Sequence, residues 1–294
     1  MSAKRILEVS NPAHVSTSRK QLLINQKECL VASIPLDDLE CVILSHPQIT
    51  VTQPLLKECS KAEVVVIICD ERHMPIGYYF SPFAHNLHSK ILKHQVEAGV
   101  TLKKKLWKKI VETKILHQAL VLKLKNKDFS FILNLSKRVK SGDSDNYEAQ
   151  AAAYYWPNLF GKKFRRDPHI DGINSLLNYG YAIMRASTTR AIVGTGLNPS
   201  LGLFHRNQYN SFCLADDLME IVRPLIDSKV YEICVDFIPE LNQETKSHLL
   251  STLQSEVKFD GLNYFLTDAL ERCATSLAQA LQLQDAKLFK CLSL

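Results

Sequence analysis

Three side chains able to ligate a divalent cation, Glu148, His205 and Glu220, stand in the most unusual local text of this chain. Glu148 follows the polar run Ser141-Gly142-Asp143-Ser144-Asp145-Asn146-Tyr147, which opens into the alanine-rich stretch Ala149 to Trp156. His205 ends a loop that contains Gly194, Gly196 and Gly202, three of the ten glycines in the sequence, together with Asn198 and Pro199. Glu220 lies one helical turn past Asp216 and Asp217. Two carboxylates and an imidazole suit Mg²⁺ or Mn²⁺, with positions left for substrate oxygens. That chemistry is phosphoryl transfer, and it makes Glu148, His205 and Glu220 the candidate catalytic and metal-binding residues.

Each residue also has a plainer reading. Glu148 fits an ordinary first-turn helix carboxylate favoured by the helix dipole. His205 fits a half-buried histidine, and Asp216, Asp217 and Glu220 fit an acidic surface patch. Against these stand the local contexts. Gly142 ends one helix, and Asp143 to Asn146 can cap the next. Glycine concentrates where backbone takes positive φ or passes close to a ligand. Acids at i, i+3 and i+4 share a helix face and repel unless a cation relieves them.

Charge is segregated along the chain. The 294 residues carry a formal net charge of +6 and are 46% hydrophobic, ample for real cores and two domains. Residues 101 to 140 hold twelve Lys or Arg against Glu112 and Asp128, a local +10 that leaves −4 elsewhere. Such a face suits a polyanion, because phosphate neutralisation releases condensed counterions. It could equally be a solvated helix face. The candidate DNA-binding residues are Lys103, Lys104, Lys108, Lys137, Arg138, Lys140, Lys162, Lys163, Arg165, Arg166 and Arg206, which bracket the proposed metal site in sequence. The eight cysteines show no Cys-x-x-Cys pair and no zinc spacing, which predicts buried thiols in a reducing compartment. No apolar run is long enough to cross a bilayer, and Met1 to Val9 does not read as a signal peptide. The expectation is a soluble, cytoplasmic protein without a membrane partner.

The elements that must position these residues fall into two blocks. Short apolar runs at Ile6 to Val9, Leu22 to Asn25, Cys29 to Ile34, Cys41 to Leu44, Val64 to Cys69 and Ile76 to Phe80 read as strands. One helix interrupts them at Thr52-Gln53-Pro54-Leu55. Beyond Ser81-Pro82-Phe83 the apolar period becomes 3.6, predicting helices over 85–98, 100–125, 128–139, 145–160, 171–193, 212–224, 225–238, 243–257 and 267–284. The fold class is therefore α+β, with a small N-terminal β-sheet domain (residues 1–82) and a larger all-helical C-terminal domain (83–294) that carries the catalytic residues.

The run Tyr147-Glu148-Ala149-Gln150-Ala151-Ala152, the stretch Asn174 to Tyr181, the loop Gly194 to His205 and the segment Leu214-Ala215-Asp216-Asp217-Leu218-Met219-Glu220-Ile221-Val222-Arg223-Pro224 resemble, in that order, the motifs of the CRISPR-associated integrase family, most closely its type II form. The resemblance places the family's metal ligands on Glu148, His205 and Glu220. It leaves open whether Asp216 or Asp217 is the accessory acid, since many members carry an aliphatic residue at the position of Asp216. It implies a homodimer whose N-terminal domain serves dimerisation and partner contacts, a small ferredoxin-like companion adaptation protein, and double-stranded DNA as both captured fragment and repeat. The implied reaction is attack of a fragment's 3′-hydroxyl on the repeat, a transesterification. A metal-dependent nuclease acting on branched DNA with water, and a non-catalytic DNA-binding scaffold subunit, are the rival readings.

Overall fold

The computed structural model of the chain describes residues 4–71, 74–79, 81 and 86–294, and it divides into two units, Met1–Asn86 and Leu87–Leu294. The expected boundary at 80–85, Phe80 of the last expected strand and the expected helix start at 85 fall largely or wholly outside the described residues.

The first unit is built from β1 (Arg5–Val9), β2 (Ala13–Ser18), β3 (Gln21–Gln26), β4 (Cys29–Pro35), β5 (Leu39–Leu44), β6 (Ile49–Val51), α1 (Gln53–Lys61), β7 (Val65–Cys69) and β8 (Pro75–Tyr79). The strands form two four-stranded sheets, ordered β1-β5-β7-β8 and β4-β3-β2-β6. Alternation supplies their inner faces: Leu22 and Ile24 of β3 are buried with Val15 of β2, Val42 of β5, Val66 of β7 and Leu55 and Cys59 of α1. Strands β2 and β6 are absent from the sequence expectation. The β2–β3 and β3–β4 hairpins turn through Arg19-Lys20 (φ 48° and 61°) and Lys27-Glu28 (φ 46° and 65°). Two-residue hairpin loops of this hand normally advertise themselves with Asn or Gly, and here neither residue type is present.

The second unit contains α2 (His88–Glu97), α3 (Val100–Leu124), α4 (Ser130–Ser136), α5 (Tyr147–Phe160), α6 (Ile173–Gly194), α7 (Cys213–Met219), α8 (Arg223–Ile233), α9 (Gln243–Leu250) and α10 (Leu266–Gln282). Two long helices organise it: α3 packs on α4, α5, α7 and α8, while α6 packs on α7, α8, α9 and α10. The α7–α8 elbow is thus held between them. The expected helix 212–224 is broken there, because Pro224 lacks an amide and is tolerated only in a first helical turn. Glu220 stands at this break.

The all-helical expectation needs one correction of detail. The helix expected over 243–257 stops at Leu250, and a short hairpin, β9 (Glu256–Phe259) with β10 (Leu262–Phe265), follows. Its turn is Asp260-Gly261 at φ 53° and 83°, the residue pair that such a turn favours. Among the described residues no helix is long and apolar enough to cross a membrane.

Candidate active site

Asp143 sets Glu148. Gly142 takes φ 73° and Asp143 φ 51°, which folds the chain back so that the buried Asp143 carboxylate accepts from the amides of Tyr147 (2.9 Å) and Glu148 (3.0 Å). Two orphan amides of the α5 N-terminus are satisfied in this way, and the Glu148 side chain is fixed in the first turn. Its Oε1 accepts from Lys114 Nζ of α3 at 2.6 Å.

The same ammonium reaches Glu220 Oε2 at 2.5 Å, while Arg223 Nε lies 3.0 Å from Glu220 Oε1. Glu220 is 4% exposed, so its charge requires these partners. Burial pushes its carboxyl upward in pKa, but Arg223 and Lys114 outweigh burial and hold it below the usual range. Burial likewise works against the Lys114 charge, and Glu220 and Glu148 together more than restore it. His117, one turn along α3, anchors the same segment through Nδ1 to the Ile221 carbonyl at 2.7 Å.

That histidine gives a pH prediction. Burial lowers its pKa to about 4, against an unfolded value near 6.5. The folded state therefore holds the neutral ring, and its contribution is complete above pH ~6.5 and lost as pH falls toward ~4, up to about 3 kcal/mol in all. Thermal unfolding measured from pH 7 to pH 4.5 is expected to fall more steeply in the parent than in His117→Asn, which keeps a donor and cannot titrate there.

His205 is placed by Asp217. The Asp217 carboxylate is fully buried and accepts from the amides of Leu203 (2.6 Å), Phe204 (2.9 Å) and His205 (3.3 Å), and its Oδ1 meets His205 Nδ1 at 2.6 Å. This contact raises the imidazole's pKa against the opposing effect of burial, with Glu220 and Glu148 adding to the shift. Trp107 supports the loop from below, its ring stacked on Phe204 at 4.5 Å and edge-on to His205 at 5.7 Å. Asp216 turns the other way, to Arg185 Nε and Asn210 Nδ2, each at 2.7 Å. Of the two acids left open by the sequence, Asp217 is the one that faces His205.

Gly202 has a reason to be glycine. A Cβ there would stand 2.3 Å from the His205 carbonyl and 2.9 Å from Asp217 Oδ2. Gly202→Ala is expected to destabilise the chain by about 1–3 kcal/mol and to displace His205, read as a lowered melting temperature together with lost DNA processing.

The candidate DNA contacts divide by their engagements. Lys104, Lys137, Arg138, Lys140, Lys162, Lys163, Arg165 and Arg206 are exposed, with Lys140 paired to Asp145 at 2.8 Å and Arg138 over the Tyr147 ring. Burial, and after it the charge of Arg206, lowers the pKa of Lys103. Lys108 lies 3.4 Å from Glu112. Arg166 is committed inward, donating to Asn174 and Asn178 and stacking over Tyr181, whose hydroxyl donates to the buried Asp227.

Chain comparison decides the family. The family model described as CRISPR associated protein Cas1 matches residues 7–236. The chain belongs to the Cas1 family. A Cas1 endonuclease of Neisseria meningitidis serogroup C (strain 8013) is 35% identical over 290 residues, covering 97% of this chain and 95% of that protein. Among solved structures, a casposase bound to its integration product superposes with TM-score 0.78 at 21% identity, covering 95% of this chain and 90% of that one. A chain of a Cas6-RT-Cas1–Cas2 complex gives TM-score 0.75 at 20% identity, covering 98% of this chain and 36% of the longer one. At these identities the two structures establish the shared Cas1 fold.

Lys114 is the site residue that sequence reading left among the general positive charge. A signal was present: it lies four residues after Ile110, three after Val111 and one before Ile115, all of them buried, so it occupies the apolar stripe of α3 and not its solvated face.

Proposed function

We propose that this chain is a divalent-metal-dependent DNA integrase of CRISPR adaptation, which joins the 3′-hydroxyl of a captured DNA fragment to the repeat by transesterification. The observation that carries the reading is the meeting of Glu148 and Glu220, 72 positions apart, on one ammonium. Relatives named as endonucleases and a casposase caught with its integration product support it.

The donor set fits Mg²⁺ or Mn²⁺. Among the described residues no three His, Cys, Asp or Glu side chains already stand as a metal-binding group, and Lys114 occupies the space between the carboxylates. Glu220 Oε2 is buried with an ion pair but no directed hydrogen bond. The contact between His205 Nδ1 and a carboxylate is the arrangement that orients an imidazole toward a metal through its other nitrogen. Glu148, Glu220 and His205 Nε2 would thus hold one ion per site. When bound, that ion supplies Lewis-acid stabilisation of charge developing on the phosphate. Asp217 fixes the ring of His205, Arg223 fixes Glu220, and the exposed lysines and arginines hold the DNA backbone without reading its sequence.

The wider assembly is part of the same proposal: a homodimer contacting a small ferredoxin-like companion through its N-terminal unit, working in the cytoplasm. The Cas2-containing complex among the structural relatives supports the partner. None of the eight cysteines is in a disulfide, in accord with a reducing compartment, although only Cys41, Cys59, Cys213 and Cys273 are buried as expected and Cys29 is exposed.

The test is a gel assay with a hydroxyl-ended duplex fragment and a repeat-bearing supercoiled plasmid. Joined products that vanish when the fragment carries a 3′-deoxy end are expected. Cleavage without joining would favour the water-using nuclease instead.

A further inference from the structure

We propose that Lys114 is the resident counter-cation of the Glu148–Glu220 pair, a positioning residue whose ammonium holds the two carboxylates together until an entering divalent cation displaces it. This rests on the metal reading above and concerns what the chain itself does at that site.

A lysine buried on an apolar stripe needs anionic partners, and Lys114, with its side chain 12% exposed, has two, at 2.6 and 2.5 Å. One carboxylate comes from the first turn of α5 and the other from the break between α7 and α8, and like charges brought into one partly buried space repel. One ammonium between them removes the repulsion and keeps both oxygens within reach of a single small cation.

The contact is also built to be exchanged. Glu220 keeps Arg223 on Oε1 whether or not Lys114 remains on Oε2. Lys114 holds Oε2 as an ion pair, a place that another cation can take. Glu148, 23% exposed in its side chain, leaves the pair open to solvent on one side. A lysine is a compact charge on a flexible four-carbon stem, able to withdraw without dragging the backbone. A divalent ion places twice the charge closer to the same oxygens, at about 2.0–2.1 Å for Mg²⁺. Lys114 thus sets a threshold: it prearranges the ligands and competes with the metal for them.

The experiment is thermal unfolding of the full chain in EDTA and across a Mn²⁺ titration, for the parent, Lys114→Met, Lys114→Gln, Lys114→Arg and Glu148→Ala. Without metal, both neutral variants should melt lower by roughly 5–10 °C, the result of leaving two carboxylates short of a partner in a domain of this size. With Mn²⁺ they should gain more than the parent, at a half-saturating concentration about tenfold lower. Lys114→Arg, which keeps the charge, should restore the parent's weaker response, a rescue that a purely packing role would not produce. A Mn²⁺ response in Lys114→Met or Lys114→Gln no larger than in the parent, with Glu148→Ala abolishing the parent's response, overturns the displacement and leaves the metal site standing. A parent response indifferent to Glu148→Ala removes the metal reading itself, and the displacement with it.

Discussion

Glu148→Ala is expected to lower strand joining by about 10²–10³-fold or more while the protein melts within a few degrees of the parent. The asymmetry of the site explains why this variant separates function from folding. Removing the Glu148 carboxylate leaves Lys114 with Glu220, and Glu220 still has Arg223. Glu220→Ala should lose as much activity but also cost about 3–5 kcal/mol, because the Lys114 and Arg223 charges would then be buried without Glu220. Joining activity and melting temperature measured side by side check both expectations. An unchanged product yield from Glu148→Ala would place the chemistry elsewhere and revive the scaffold reading.

The second large effect belongs to Asp217. Asp217→Ala would strand the amides of Leu203 and Phe204 and release the imidazole of His205, all of which depend on one fully buried carboxylate. A loss of about 3 kcal/mol or more in stability is expected, together with at least a 10–100-fold drop in activity from the misplaced histidine. Asp216→Ala should be milder on activity, since Asp216 binds Arg185 and Asn210 and does not touch His205. Chemical denaturation and the joining assay, run on the two variants together, distinguish them. Equal activity losses would contradict the division of labour between the adjacent acids.

The legible parts of this molecule are those where a local pattern carries its own physical cause. A glycine and a run of capping residues before an alanine-rich helix pointed to Glu148, and the fold shows Asp143 doing the capping. A glycine-rich loop pointed to His205, and Gly202 indeed has no room for a Cβ. What stayed hidden depends on partners far away in sequence. Asp216 and Asp217 are neighbours with identical chemistry, and only tertiary packing decides that one meets Arg185 and the other the His205 loop. Strand β2 is hidden because its hairpin loop uses Arg19 and Lys20 at positive φ, and β6, paired parallel to β2, because it is only three residues long. The β9–β10 hairpin is a different failure. Its Asp260-Gly261 signal falls in the unassigned stretch between the helices expected over 243–257 and 267–284, and strands of four residues each are too short for alternation to declare itself. Lys114 was masked by its company, one of twelve basic residues in a stretch of forty.

The account centres on a divalent ion shared by Glu148, Glu220 and His205. Its most direct test is an anomalous difference map at the manganese edge from crystals grown with Mn²⁺. The account predicts one peak per site, within about 2.0–2.4 Å of both carboxylates and of His205 Nε2, with the Lys114 ammonium withdrawn from between them. Ordered density showing Lys114 still bridging Glu148 and Glu220, with no manganese at His205, would contradict it.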